Sequence, residues 1–291
     1  MATAVLKADN VQTLEPKRMQ CMEVWGGNRS IDSGVVMPGL DAWLFSQPCE
    51  QDAGGGDVHY VSTCAGGMLV RMLIADVAGH GTKVESIGSQ LRGLMRRYIN
   101  NASQSGFLRA LNREFTSTTS DGRFATAIVM TFEAAKNRLV ISNAGHPAPL
   151  WYQSKTGRWK YLEADTEGVN VPWGIEDEVD YQQFEVKLRV GDLVLGYTDS
   201  LTEARLPDGE LLGQEGLLAL VQSLGTPDPA RLVSQILERI DNHGKQNLTR
   251  DDITCLLFRP NGMRPRMPLR DMLMAPIRVI ADWGGVHFNW R

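Results

Sequence analysis

The chain has 291 residues, of which 43% are hydrophobic and 22% are charged, and its formal net charge is -4 at pH 7. This length and composition allow a substantial buried core and exclude wholesale disorder. The slightly acidic balance argues against a nucleic-acid-binding protein, which usually presents a basic face. The first seventeen residues carry several charges and no apolar run, so we do not expect a signal peptide.

Cysteine usage indicates the cellular compartment. The chain contains Cys21, Cys49, Cys64 and Cys255, and none of them forms a CxxC pair. Without such a pair, neither a structural zinc site nor a redox motif is expected. Scattered cysteines are typical of a reducing cytosol, and the apolar stretches are too short to span a bilayer. We therefore expect a cytoplasmic protein that makes no membrane contact.

The first half of the chain changes character near residue 54. Residues 1–53 are rich in Gly, Pro and Asp, which predicts an irregular N-terminal extension packed on the domain that follows. The apolar, β-rich runs 58–63 and 68–75 are separated by a Cys-Ala-Gly-Gly turn signal and predict a hairpin. Apolar residues then recur at helical spacing over 82–100 and 106–116, which predicts two helices.

The second half returns to strands before two more helices. Strand-like runs occupy residues 124–132, 138–142, 159–162, 181–188 and 193–197. One helix is predicted over 215–224. A second should begin at Asp228-Pro229, an N-cap residue followed by proline in the first turn. A last strand is predicted over 253–258, and residues 260–291 form a C-terminal tail.

The order of these elements predicts the fold class. Strands, two helices, many strands, two helices and one strand do not alternate as in a doubly wound sheet. We therefore expect an α+β protein. Its domain, over residues 54–259, should be a β-sandwich of two antiparallel sheets flanked by helices, in α-β-β-α layers.

Aspartates at strand ends are the main chemical signal. Asp57 follows three glycines, Asp76 and Asp199 follow apolar strands, and the Asp251-Asp252 pair precedes the last strand. A buried carboxylate at a strand end is costly unless something compensates it, although aspartate is also common as a turn cap. Repeated placement of this kind favours one shared site. Converging carboxylate oxygens suit Mg²⁺ or Mn²⁺, and two such ions about 3.5–4 Å apart can activate a water for attack on phosphorus.

Short motifs around these aspartates carry a family resemblance. They occupy residues 55–57, 75–81, 124–127, 143–149, 172–175, 191–195, 197–204 and 251–254. In this order they resemble the PPM, or protein phosphatase 2C-like, family, in its SpoIIE/RsbU-like bacterial branch. Each motif alone is weakly informative, but the whole set is specific.

The resemblance implies a binuclear centre with two Mn²⁺ or Mg²⁺ ions. It implies that Asp76 bridges both metals and that the backbone carbonyl of Val77 binds one of them. Asp199 and Asp251 are implied as ligands of the other metal. Asp57 is implied as a direct ligand of the second metal, or as its partner through a water.

Several residues near these motifs stay open at this point. His80 lies between two glycines beside Asp76, and it is either the general acid for the leaving alkoxide or a residue that stabilises the loop. Asp252 is the weaker candidate of its pair, because that position varies in the family. Ser200 stands where the family has glycine, and it is either tolerated or crowds the site. Glycine and proline flank His146, which predicts a structural role in a turn, and no arginine can be assigned as a phosphate clamp by motif.

The resemblance implies a phosphatase that acts on phosphoserine or phosphothreonine in a protein. The implied substrate class is an anti-sigma-factor antagonist in a partner-switching pathway. The alternative is a catalytically silent binding module with the same fold, and Ser200 is the feature in its favour. A nucleotide-binding ATPase or kinase is disfavoured because the P-loop lysine is absent. We expect a phosphorylated protein as partner and no nucleic acid. Control could come from the extension, the tail, a regulatory protein or a homodimer.

Overall fold

The computed structural model describes most of the region between residues 16 and 263. The described residues are 16–19, 23–49, 54–64, 68–79, 103–119, 122–164, 171–244 and 247–263, with positions 87, 90–91, 93–95 and 97–98 between them. Within them the strands are β1 (Lys17–Arg18), β2 (Val24–Gly27), β3 (Ile31–Met37), β4 (Leu40–Gln47), β5 (Asp57–Cys64), β6 (Leu69–Val77), β7 (Ala125–Glu133), β8 (Arg138–Ala144), β9 (Leu150–Gln153), β10 (Arg158–Tyr161), β11 (Phe184–Lys187), β12 (Leu193–Tyr197) and β13 (Ile253–Pro260). The helices with defined ends are α1 (Gln104–Thr118), α2 (Gly213–Ser223) and α3 (Leu232–His243).

The strands form two sheets. The seven-stranded sheet has the order β1-β3-β4-β13-β12-β9-β10, and the six-stranded sheet has the order β11-β8-β7-β6-β5-β2. Neighbouring strands pair antiparallel, except for the short parallel pair of β1 with β3. The two sheets face each other across a shared apolar core, in which Met72 and Ile74 of β6 meet Val194 of β12 and Leu256 of β13. The chain is therefore a β-sandwich.

Helices cover the outer face of each sheet. Apolar side chains of α1 share a buried cluster with Leu73 of β6 and Val129 of β7. Apolar side chains of α2 and α3 share another cluster with Leu195 of β12 and Leu257 of β13. Successive strand residues point to opposite faces, so one strand can serve both the inner core and an outer cluster. This arrangement confirms the predicted α+β sandwich with α-β-β-α layers.

The first helix, α1, shows how local sequence and packing agree. Ser103 caps it, and its Oγ accepts a hydrogen bond from the backbone N–H of Gly106 at 3.1 Å. Phe107, Leu111 and Phe115 recur every four residues and are all buried. Burial of each such side chain contributes about 1.5–3 kcal/mol, so this stripe attaches α1 firmly to the six-stranded sheet.

Several predictions about individual elements need correction. Residues 17–47 are not irregular, because they form β1 to β4 and add strands to both sheets. Strand β9 (Leu150–Gln153) was absent from the predicted set. Helix α3 begins at Leu232, after the Asp228-Pro229 pair as predicted but with one turn in between. Asp228 caps that turn: its Oδ1 accepts from the N–H of Ala230 at 3.1 Å, and its carbonyl accepts from Arg231 and Leu232.

Part of the prediction falls outside the described residues. The described positions between 87 and 97 are helical, in agreement with the helix predicted over 82–100, but both ends of that helix lie outside the described part. Residues 264–291, most of the predicted tail, are also outside it. Among the helices that are described, none combines the length and apolar character needed to cross a bilayer.

Candidate metal centre

Two aspartates face the sandwich core from the six-stranded sheet. Asp57 begins β5, Asp76 lies near the end of β6, and the two residues are direct partners in the antiparallel register. Strand alternation puts Asp76 on the same face as Met72 and Ile74, which belong to the core between the sheets. Both carboxylates therefore point toward the seven-stranded sheet at one edge of the sandwich, and Asp57 is buried with an exposed fraction of 3%.

The opposite sheet brings further acidic residues to the same edge. Tyr197 at the end of β12 pairs with Cys255 near the start of β13, so the segments beyond these strand ends are adjacent. Asp199 begins a short 3₁₀ turn just beyond the end of β12, with Thr198 in between. Asp251 lies just before the start of β13, with Asp252 in between. The Thr198 hydroxyl donates a 2.8 Å hydrogen bond to Oδ2 of Asp57 and thereby links the two sheets.

Asp252 has a different role from its neighbour Asp251. Its Oδ2 accepts hydrogen bonds from the backbone N–H groups of Gly56 and, at 3.2 Å, Asp57. Its Oδ1 accepts one from the N–H of Cys49 at 2.6 Å. These bonds hold the glycine-rich loop that delivers Asp57. Sequence reasoning gave Asp252 only a weak metal role and missed this positioning function, because its partners are about 200 residues away in the chain.

The loop before Asp57 requires glycine for steric reasons. A Cβ atom at Gly55 would lie 2.2 Å from Oδ2 of Asp252, and one at Gly56 would lie 2.9 Å from the carbonyl oxygen of Val77. The backbone N–H of Val77 also donates to the Gly56 carbonyl at 3.2 Å. Close backbone approach of this kind is a regular use of glycine. The loop is thus packed directly against the segment that carries Asp76 and Val77.

The carboxylates at this edge repel one another. Burial, followed by the negative charges of Asp199, Asp251 and other nearby carboxylates, raises the pKa of Asp76 from 3.8 to about 7. Burial and then the charges of Glu203 and Asp251 raise the pKa of Asp199 to about 6. Sequence reasoning missed Glu203. It lies one turn after Asp199, and its backbone N–H donates to the Asp199 carbonyl at 2.8 Å, so the spacing of four residues was the available signal.

Asp57 and Asp251 also have raised pKa values. Burial and the charge of Asp76 raise the pKa of Asp57, although the hydrogen bond from Thr198 opposes this effect. Burial, with a further contribution from Asp252, raises the pKa of Asp251. Neighbouring like charges disfavour ionisation, and a bound cation reverses that preference. The charge distribution therefore matches a site for divalent cations.

The donor set fits Mg²⁺ or Mn²⁺ by its chemistry. Carboxylate and carbonyl oxygens are the ligands these ions prefer, and no thiolate or imidazole takes part in the described cluster. Within the described residues, however, no three Asp, Glu, His or Cys side chains are arranged to hold an ion as they stand. The aspartates are gathered at one edge, but their side chains do not close a coordination shell.

The two histidines singled out in the sequence have different outcomes. His80 lies outside the described residues, so both of its predicted roles stay open. His146 is buried, and its Nδ1 lies 2.9 Å from the hydroxyl of Thr126. Its backbone N–H donates to Oδ1 of Asn143 at 2.7 Å, and the Asn143 amide donates back to its carbonyl at 2.7 Å. These contacts agree with the predicted structural role in a turn.

Solved structures share this sandwich. The RsbU and RsbW domains of Rv1364c from Mycobacterium tuberculosis align with a TM-score of 0.66 and 23% identity, covering 86% of this chain and 70% of that one. The catalytic domain of the serine threonine protein phosphatase PstP, solved with two manganese ions, aligns with a TM-score of 0.54 and 18% identity. That alignment covers 76% of this chain and 98% of the PstP chain. This chain therefore shares the fold of these two proteins.

The family follows from the sequence match. The sequence model of the family stage II sporulation protein E (SpoIIE) matches residues 66–261, which is more than half of the chain. The chain belongs to the SpoIIE family, as the motifs had indicated. It is 25% identical over 221 residues to phosphoserine phosphatase RsbU of Bacillus subtilis (strain 168), covering 76% of this chain and 63% of RsbU. The chain thus spans less than two thirds of that relative's length.

Proposed function

We propose that the chain is a metal-dependent protein phosphatase that hydrolyses phosphoserine or phosphothreonine in a protein substrate. The observation that carries the proposal is the convergence of carboxylates from both sheets at one edge, where burial and then repulsion between the carboxylates raise the pKa values of Asp76 and Asp199. Family membership and the similarity to a phosphoserine phosphatase support the same reaction. The domain that carries it extends beyond the predicted span 54–259, because strands β1 to β4 also belong to its two sheets.

In this proposal five residues hold two Mn²⁺ or Mg²⁺ ions. Asp76 would be shared by the two ions, the Val77 carbonyl and Asp57 (directly or through a water) would hold one, and Asp199 and Asp251 would hold the other. When bound, such ions supply positive charge for the phosphoryl oxygens and lower the pKa of a water molecule. Hydrolysis then forms a bond from the water oxygen to phosphorus, breaks the bond from phosphorus to the serine or threonine oxygen, and returns a proton to that oxygen.

The protein's own contribution to the reaction is positioning. The sheet register pairs Asp76 with Asp57 on β5 and with Thr126 on β7. The backbone that carries the Asp76 carboxylate therefore has little freedom to move. Asp252 fixes the glycine loop by accepting hydrogen bonds from the backbone N–H groups of Gly56 and Asp57. His80 is either the donor of the proton to the leaving oxygen or a residue that stabilises its loop. A misplacement of about 1 Å in such a constellation costs on the order of 100-fold in rate.

The proposed substrate is a phosphorylated protein in the cytoplasm, of the class of anti-sigma-factor antagonists in partner-switching pathways. RsbU is named as a phosphoserine phosphatase, which supports phosphoserine as the first substrate to test. The competing idea, a silent binding module, depended on crowding by Ser200. The Ser200 side chain is buried, and its Oγ lies 3.4 Å from Oγ1 of Thr198. That contact supports a tolerated serine and therefore an active enzyme.

The deciding experiment is metal-dependent turnover of a phosphoserine protein. We expect release of phosphate with added Mn²⁺ or Mg²⁺, none after treatment with a chelator, and recovery when the ion is restored. The physical reason is that the proposed ligands are oxygens only, which do not retain a divalent ion as tightly as a set containing Cys and His. Full turnover after exhaustive chelation would contradict the proposal. So would the absence of turnover with either ion on several phosphoproteins of this class.

A further inference from the structure

Thr198 occupies a helix-capping position without acting as a cap. It precedes the 3₁₀ turn Asp199–Leu201 in extended conformation, yet its side chain makes no capping hydrogen bond. Threonine at such a position normally accepts a hydrogen bond from a backbone N–H of the first turn. The hydroxyl of Thr198 is instead turned to the Asp57 carboxylate, to which it donates at 2.8 Å. The Thr198 side chain therefore does not stabilise the turn as a cap, and it contacts the opposite sheet instead.

Counting donors and acceptors fixes the direction of the neighbouring contacts. A hydroxyl has one proton and two acceptor sites. The proton of Thr198 goes to Asp57, and one acceptor site of its Oγ1 takes the backbone N–H of Thr254 at 2.9 Å. The Oγ of Ser200 lies 3.4 Å from the same atom. Since Thr198 has no second proton to give, Ser200 must be the donor in that contact, which is long and therefore weak.

This group of hydroxyls is closed to solvent. Thr198 and Thr254 are 0% exposed, and Ser200 is 5% exposed. Thr254 Oγ1 is also 3.0 Å from Oγ of Ser46 on β4, so the chain of hydroxyls continues into the seven-stranded sheet. The side chain of Thr254 also hydrogen-bonds to the Asp57 carboxylate. Loss of the Thr198 donor therefore leaves this buried carboxylate one hydroxyl short and less firmly oriented.

We propose that Thr198 and Ser200 are positioning residues: Thr198 orients the Asp57 carboxylate through a direct hydrogen bond, and Ser200 completes the hydrogen bonding of Thr198. The proposal rests on the proposed metal centre and assigns a task to the serine that replaces the family glycine. The Ser200 Oγ lies 3.4 Å from the Thr198 hydroxyl oxygen, which is the contact this task requires. In this assignment both residues act on the metal centre through Asp57.

The test is Mn²⁺ affinity of the full chain, measured by titration calorimetry and independently by the electron paramagnetic resonance of free Mn²⁺. Thr198→Val keeps the shape and removes the hydroxyl, and we expect about 10- to 100-fold weaker binding, as for other residues that orient metal ligands. Thr198→Ser should bind close to wild type. Ser200→Ala should weaken binding by about two- to tenfold, the scale of one neutral hydrogen bond.

A matched control and a double-mutant comparison separate positioning from general damage. Thr131→Val removes another buried threonine hydroxyl, which accepts from Arg71 in the same sandwich, and should lower the melting temperature without changing Mn²⁺ affinity. Thr131 lies five residues from Thr126 along β7, which is roughly 17 Å from the partner of Asp76. In an Asp57→Ala background, Thr198→Val and Ser200→Ala should have no further effect on Mn²⁺ binding.

The outcomes discriminate between the possibilities. Unchanged Mn²⁺ affinity in Thr198→Val, or an equal loss in the Asp57→Ala background, overturns the positioning role of Thr198. An unchanged affinity in Ser200→Ala overturns the role of Ser200. If Thr198→Val does not fold, Ser200→Ala in both backgrounds decides. A wild-type chain that binds no Mn²⁺ overturns the proposed function as well, which distinguishes the failure of the metal centre from the failure of this inference alone.

Discussion

Replacing Asp76 by asparagine should have opposite effects on stability and on turnover. The pKa of Asp76 is raised from 3.8 to about 7, first by burial and then by the negative charges around it. A shift of this size corresponds to roughly 4 kcal/mol against the ionised form in the folded, metal-free chain. Because Asp76 is partly exposed and salt screens its neighbours, we expect about half of this, or about 2 kcal/mol.

The pH dependence of this effect has a definite sign. Asp76 has a higher pKa in the folded chain than in the unfolded chain, so the folded state binds the proton more tightly. The destabilisation is absent well below pH 3.8, grows as pH rises, and is complete above about pH 7. Asparagine carries no charge at any pH. The metal-free Asp76→Asn variant should therefore be more stable than wild type at pH 8, and the difference should shrink toward zero as the pH falls below 3.8.

The assay combines urea unfolding in the presence of a chelator with turnover in saturating Mn²⁺. We expect Asp76→Asn to raise the free energy of unfolding and to abolish turnover, which is the pattern of a carboxylate kept for function at a cost in stability. The control is Asp192→Asn, since Asp192 is buried but accepts hydrogen bonds from Trp151, Ser154 and Arg189. That variant should lose stability. Near-wild-type turnover in Asp76→Asn, or lower stability than wild type at pH 8, would refute the reasoning.

Three more predictions follow from the same geometry. Asp199→Asn should abolish turnover while the circular dichroism spectrum stays native, and retained activity in saturating Mn²⁺ would remove Asp199 from the ligand set. Gly56→Ala should weaken Mn²⁺ binding and lower turnover by about tenfold or more, because the new Cβ would lie 2.9 Å from the Val77 carbonyl oxygen. A variant with unchanged kinetics would show that the loop is free to move. Burial lowers the pKa of His146 from 6.5 to about 3. Between these pH values the unfolded chain binds a proton at His146 and the folded chain does not. The free energy of unfolding therefore falls as the pH drops below about 6.5. Between pH 6.5 and pH 5 this contributes about 2 kcal/mol, and His146→Gln should remove that part of the pH dependence in urea unfolding.

The success and failure of the element predictions have physical causes. Strands such as β6 and β12 are long apolar runs, and α1 has a regular apolar stripe, so their periodicity identifies them. Strands β1 to β4 were missed because glycine, proline and polar residues mask the alternation there. They form strands because β4 pairs with β13 over eight residues and β2 pairs with β5. Tertiary pairing overrides weak local preference in such segments.

The layered fold, the order of its main elements, the family and the candidate metal-binding aspartates could all be predicted from the chain's residues. These features depend on composition, periodicity and short motifs, which are local. The groups that hold those aspartates in place became visible only in the packed sandwich. Thr198 is separated from Asp57 by 141 positions in the chain, and Asp252 is separated from Gly56 by 196. Their hydrogen bonds exist only once the two sheets have packed, because the donor and acceptor atoms must come within about 3 Å of each other.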